Sequence, residues 1–146
     1  MRFDGHVVVV TGGASGMGAA TARLFAKEGA LVFVVDIDAP GAEQVAYDCK
    51  GEALVGDVSD SVFCNRAIGR VIDAHGQIDV LVNAAGIILR ADSASTDDEA
   101  WRRMMAVNVD GVFFMSRAAL PHMVGRQSGA VSYTHLRAHE PLRYLV

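Results

Sequence analysis

The sequence predicts an α/β fold, a doubly wound parallel sheet, and three observations carry that prediction. The run Val7-Val8-Val9-Val10 offers no polar face, so it belongs in the middle of a parallel sheet covered by helices on both sides. It breaks at once into Thr11-Gly12-Gly13-Ala14-Ser15-Gly16-Met17-Gly18, a glycine-rich turn that opens a helix. Strand-like and helix-like patterns then alternate without internal repeats or low-complexity linkers, which implies right-handed crossovers between parallel strands.

Gly12, Gly16 and Gly18 do what side chains would prevent: the chain turns tightly, the backbone approaches a pyrophosphate, and the helix packs close to the strand. Free N–H groups at that helix start, with the helix dipole behind them, suit phosphate. The helix, roughly 17–28, places Ala20, Leu24 and Phe25 on one face, with Arg23, Lys27 and Glu28 elsewhere and Gly29 as a stop signal. A second apolar run from Leu31 to Val35 ends at Asp36. An acid there, about 20 residues beyond the glycines, is placed to accept hydrogen bonds from an adenosine ribose. Asp38 follows, and no Arg or Lys lies between Gly12 and Gly18, so a ribose 2′-phosphate would meet negative charge and NAD is favoured over NADP. The missing Lys-Ser/Thr pair after the glycines argues against a Walker phosphate loop.

Beyond Ala39-Pro40-Gly41 a short helix is expected to about Lys50, then a third strand, Glu52 to Val58, containing the acid Asp57. On the ligand edge of the sheet Asp57 suits an adenine contact, and it equally suits capping of the next helix; with Ser59 and Asp60 beside it both can hold. From Asp60 to about His75, Val62, Phe63, Ala67, Val71 and Ile72 form an inner face opposite Arg66, Arg70 and Asp73, and Gly76 ends the helix. Ile78 to Val82 is a fourth strand running into Asn83-Ala84-Ala85-Gly86, where small residues leave room for a cofactor and Asn83 can hold the turn. After a loop to Ser95, Thr96-x-x-Glu99 has capping-box form and predicts one long helix with Trp101, Met104, Met105, Val109, Val112, Phe113 and Leu120 inward.

At 146 residues and 51% hydrophobic content the chain can build one core. A net charge of −4 and a pI near 5.6 exclude no metabolite but speak against nucleic acid or an anionic membrane. Cys49 and Cys64 form no CxxC pair, so buried free thiols are expected and no metal site. The chain opens almost directly into its first strand with no signal-like stretch, so a soluble cytoplasmic protein is expected.

These motifs, in this order, resemble the short-chain dehydrogenases/reductases: Thr11-Gly12-x-x-x-Gly16-x-Gly18, Asp36, Asp57-Val58, Asn83-Ala84-Ala85-Gly86 and Val107-Asn108-Val109-Asp110-Gly111. The resemblance covers about residues 3 to 131 and implies a Rossmann-type fold and hydride transfer between a nicotinamide cofactor and an alcohol or ketone. It implies that Gly12, Ser15, Gly16, Met17 and Gly18 surround the pyrophosphate and adjacent ribose. Asp36 and Ile37 would flank the adenosine ribose, Asp57 and Val58 the adenine, and Asn83, Ala84 and Gly86 the middle of the cofactor. Asn108 resembles the active-site asparagine that bends a helix and helps hold a water in the proton relay. A homo-oligomer is implied for the intact parent enzyme by the same resemblance.

The family's serine, tyrosine and lysine, which orient substrate and supply a base near neutral pH, lie downstream of that asparagine. Here the composition turns basic and His-rich after Gly129-Ala130-Val131. Tyr133 and Arg137 have the Tyr-x-x-x-cation spacing but sit too early and replace lysine by arginine, and His135 with His139 lacks a third metal ligand. The expected organisation is a dinucleotide-binding domain over 1–131, four to five strands of a larger sheet, and a 132–146 tail resembling translated adapter or out-of-frame DNA. Such a fragment should be inactive or nearly so and should expose apolar surface that favours association. The alternative is a non-catalytic dinucleotide-binding sensor or regulatory protein.

Overall fold

The protein is described by a computed structural model that covers residues 1–133; Arg137, His135 and His139 lie outside the described residues. A five-stranded, wholly parallel sheet runs in the order β3-β2-β1-β4-β5, with β1 Val7–Thr11, β2 Leu31–Asp36, β3 Glu52–Val55, β4 Val80–Asn83 and β5 Ala130–Tyr133. Helices α1 (Gly16–Lys27) and α2 (Ala39–Cys49) cover one face, and α3 (Ser61–His75) and α5 (Gly111–Arg126) the other.

Alternation along β1 explains the valine run. Val8 and Val10 pack with Val32, Val34, Ala19, Ala22 and Val45 on the α1/α2 side, whereas Val7 and Val9 pack with Phe33, Val35, Ile68 and Met115 on the α3/α5 side. Neither face of the strand reaches water, as a doubly covered parallel strand requires. Because the chain leaves β1 toward β2 and returns later to β4 on its other side, the strand order reverses between β1 and β4. A crevice therefore opens at the carboxyl ends of those strands.

The inner faces of three helices differ from the periodicity reading, each for a local reason. In α1 the inward residues are Gly18, Ala19 and Ala22, while Leu24 is 61% exposed. The glycine turn seats this helix so near the sheet that only small side chains fit beneath it. Asp60 caps α3, its carboxylate accepting from Val62 N–H at 2.8 Å, and Val62 then faces solvent beside an inward set of Phe63, Cys64, Ala67, Ile68 and Val71. The single long helix expected from Thr96 is instead α4 (Asp98–Met105), a π-helical turn over Ala106–Asp110, and α5. Asp97 is its N-cap, accepting from Ala100 N–H at 2.7 Å, while the Thr96 hydroxyl donates back to Asp92 O at 2.9 Å. The wider turn adds a residue and rotates the helix beyond it, as π-bulges do. Val107, Gly111, Met115, Ala119 and Met123 consequently face the core, and Trp101, Val109, Phe113 and Leu120 are exposed.

Strand β3 ends at Val55 rather than reaching Val58: Gly56 N–H makes the last bond to β2, to Asp36 O at 2.9 Å, and the chain then turns, with Ser59 N–H donating to Asp57 Oδ1 and Asp60 N–H to Asp57 O. Strand β5 pairs Ser132 with Val82 and Tyr133 with Asn83, so the sheet continues past Val131.

Candidate functional site

A cleft of about 330 Å³ lies over the carboxyl ends of β1 to β4, at the switch in strand order. Its floor is the glycine turn. Gly12 has φ +65° and a Cβ there would lie 2.6 Å from Ala85 Cα, so the turn after β1 and the turn after β4 touch through backbone alone. A Cβ on Gly18 would run into the Gly12 carbonyl oxygen, which holds α1 close beneath the turn. Gly16, at φ +52°, faces open space within the cleft lining. Thr11 fastens the two turns: its hydroxyl oxygen accepts from Ala84 N–H at 3.2 Å and Ala85 N–H at 3.1 Å. At the start of α1, Ser15 makes no side-chain cap and no acid occupies the first turn, so nothing in the helix itself competes for its leading N–H groups.

Asp36 stands at the end of β2 and is tied to this floor. One carboxylate oxygen accepts from Ala14 N–H at 3.0 Å and the other from Asp38 N–H at 3.0 Å. Both bonds orient the carboxylate at the rim, where Met17 and Ile37, each more than half exposed, add apolar walls.

Asp57 sits deeper along the same wall. Oδ1 accepts from Ser59 N–H at 2.9 Å and from the Ser59 hydroxyl at 2.7 Å, and Oδ2 accepts from Arg103 Nη1 at 3.0 Å. Burial alone would raise its pKa, but the bonds from Ser59 and the Arg103 guanidinium outweigh that and hold the carboxyl below the usual carboxylate range. Of the two roles open to Asp57, capping of α3 falls to Asp60.

Gly12, Ser15, Gly16, Met17, Gly18, Asp36, Ile37, Asp57, Val58, Ala84 and Gly86 all line the cleft. Asn83 and Asn108 stand behind it. Asn83 is buried between β4 and α5, donating to Ser116 Oγ at 3.3 Å with its own Oδ1 unpartnered among the described residues. Asn108, inside the π turn, grips the backbone of Ile87 twice: Oδ1 accepts from Ile87 N–H at 2.8 Å and Nδ2 donates to Ile87 O at 2.9 Å. Its amide therefore sets the loop that follows Gly86.

The cleft also holds residues not singled out as site candidates: Ala85 and Val107, which lie inside quoted motifs, and Gly56, Ile87 and Arg103, which no motif marks. Ala85 and Ile87 flank positions already singled out. Arg103 carries no local signal, since it reaches Asp57 across 46 positions of chain.

Among the described residues no group of three or more His, Cys, Asp or Glu side chains could hold a metal ion, and no helix is long and apolar enough to cross a membrane. Cys49 and Cys64 are buried and unpaired, and burial pushes the Cys64 thiol up to about 11.

A parallel sheet with a glycine floor at its switch point and an acid after the second strand defines a Rossmann-like, doubly wound α/β protein. Residues 6–134 match the family model described as short chain dehydrogenase, and the chain belongs to that family. It is 42% identical to a meso-2,3-butanediol dehydrogenase of Serratia marcescens over 85% of this chain and 51% of the relative. It is 38% identical to a galactitol 2-dehydrogenase (L-tagatose-forming) of Cereibacter sphaeroides over 89% of this chain and 52% of the relative. The crystal structure of gox2181 superposes with a TM-score of 0.87 at 28% identity, covering 90% of this chain and 54% of that one. The chain thus spans about half the length of the curated relatives it matches.

Proposed function

We propose that this chain is the cofactor-binding part of an NAD-dependent oxidoreductase acting on a small alcohol or ketone. The observation that carries the reading is the Asp36 carboxylate, bonded to the Ala14 N–H of the glycine turn, which brings a ribose acceptor and a phosphate cradle to one rim. The residues present fit the cofactor: glycines leave room where a Cβ would intrude, and the α1 N–H groups have no competing acid.

When bound, the nicotinamide supplies a hydride acceptor and donor. In this reading Gly12, Ser15, Gly16, Met17 and Gly18 embrace the pyrophosphate, and Asp36 with Ile37 takes the adenosine ribose. Asp57 and Val58 border the adenine, and Ala84 and Gly86 the middle of the molecule. Asn83 ties the end of β4 to Ser116 of α5 behind the cleft rather than holding the turn, which Thr11 fastens, and Asn108 holds Ile87. Asp36 and Asp38 favour NAD, because a 2′-phosphate there would meet two carboxylates.

The full reaction requires a base near neutral pH, for which the family uses a tyrosine lowered by a lysine. No lysine follows Lys50 in this sequence, so the chain as given is expected to bind without turning over. Homo-oligomer formation and a cytoplasmic, metal-free enzyme belong to the same proposal.

Titration calorimetry of the folded chain with NAD and NADP tests it. Binding of NAD with affinity at least about tenfold above NADP is expected, and Asp36→Ala should weaken NAD by about tenfold and narrow that gap. No heat with either dinucleotide, or unchanged affinity in Asp36→Ala, would overturn the proposal. Turnover with secondary alcohols by the chain as given would overturn its inactivity; binding without turnover even after downstream extension would favour the sensor reading.

A further inference from the structure

Arg103, Ser59 and Asp57 form a closed ring at the adenine-side wall of the cleft. Arg103 Nη1 donates to Asp57 Oδ2 at 3.0 Å and to Ser59 Oγ at 3.2 Å, and Ser59 donates its hydroxyl and its N–H to Asp57 Oδ1 at 2.7 and 2.9 Å. Two bonds fill the lone pairs of Oδ1, whereas Oδ2 carries one bond among the described residues and keeps a lone pair at the cleft surface. Turning the carboxylate about its Cβ–Cγ bond breaks either the serine bonds or the arginine bond, so its plane is held. α4 buries none of its own residues, yet it delivers this cation to a turn on the far wall.

We propose that Arg103 is a positioning residue for purine recognition: by holding Asp57 as a fixed acceptor, it makes the cleft prefer a dinucleotide whose purine carries a 6-amino donor over one with a 6-oxo acceptor. The inference rests on the dinucleotide reading given above. A carboxylate facing an exocyclic N–H gains a charge-assisted bond, and the same carboxylate facing a carbonyl oxygen meets a second acceptor. Without the Arg103 bond, Ser59 still holds Oδ1 but Oδ2 loses the donor that fixes it, so the carboxylate can swing about its serine anchor and the distinction between the two purines fades. Arg103 acting as a mere surface for stacking would serve both purines alike, because both present the same π face.

The test is titration of the full chain with NAD and with nicotinamide hypoxanthine dinucleotide, comparing the ratio of the two affinities in each variant. The unsubstituted chain should favour NAD by about tenfold, a difference of one hydrogen bond. Arg103→Met, which keeps the length of the stem, should bring the ratio to within about twofold, and Arg103→Lys should recover part of it. A purely structural loss would lower both affinities by the same factor and leave the ratio untouched, so melting temperatures are recorded beside it. An unchanged ratio in Arg103→Met overturns the inference while the dinucleotide reading stands, as does equal affinity of the unsubstituted chain for both ligands. Binding of neither ligand overturns both. Should Arg103→Met fail to fold, the Arg103→Lys ratio decides: a fall supports the inference and no change overturns it.

Discussion

Gly12 and Cys64 illustrate how single positions carry the architecture. At Gly12 the backbone is left-handed and the neighbouring turn touches it, so Gly12→Ala should suffer both conformational strain and contact with Ala85. A loss of about 2–3 kcal/mol in urea unfolding is expected, together with loss of NAD binding. Gly69→Ala is the control: its added Cβ meets nothing within 4 Å, and it lies within α3, where alanine is the better helix former. Cys64 is fully buried and donates to Val58 O at 3.2 Å. Burial raises its folded pKa from 9.0 to about 11, so the unfolded chain releases this proton first. Its contribution is therefore complete below pH 9 and is lost as pH rises toward 11. Unfolding curves of the native chain and Cys64→Ala should keep a constant separation up to about pH 8 and converge above pH 9.

The π turn is fastened by one of its own side chains and sets the register of the helix beyond it. Asn108 closes it onto Ile87, and the helix registry on its far side comes from the extra residue rather than from any apolar stripe. Asn108→Leu, close in size, should cost about 2 kcal/mol through two lost bonds and leave the Ile87 amide quick to exchange. Asn108→Asp keeps the acceptor for Ile87 N–H and should recover much of that protection. Equal Ile87 exchange in all three proteins would contradict the clamp. The same element accounts for the face that α5 presents: Phe113, at 56% exposure, stands where an unbroken helix would have placed a core residue.

For the whole molecule, burial is graded from the central strands outward. Val8, Val9 and Val10 of β1 and Val32, Val34 and Val35 of β2 are wholly buried, whereas the connection from 88 to 97 is almost entirely exposed. Hydrogen exchange should therefore be slowest in β1 and β2, where opening requires global unfolding, and fastest between Ile88 and Asp97. Rapid exchange in β1 under native conditions would contradict a sheet centred on that strand.

Much of this was legible before folding. A four-valine run suits double cover, glycines at 12, 16 and 18 suit close approach or a left-handed backbone, and Asp36 stands at the spacing a βαβ unit imposes; each is a local constraint written in residue type. Strand and helix order, the glycine floor and most of the cleft lining arise from such constraints. Local sequence does not contain the lateral order of strands, the π turn or the Arg103–Asp57 contact, because each depends on which distant backbone comes alongside. Periodicity told which residues of a helix share a face. Only the sheet, by how closely it admits each helix, decided that Ala22 would be inside and Leu24 outside.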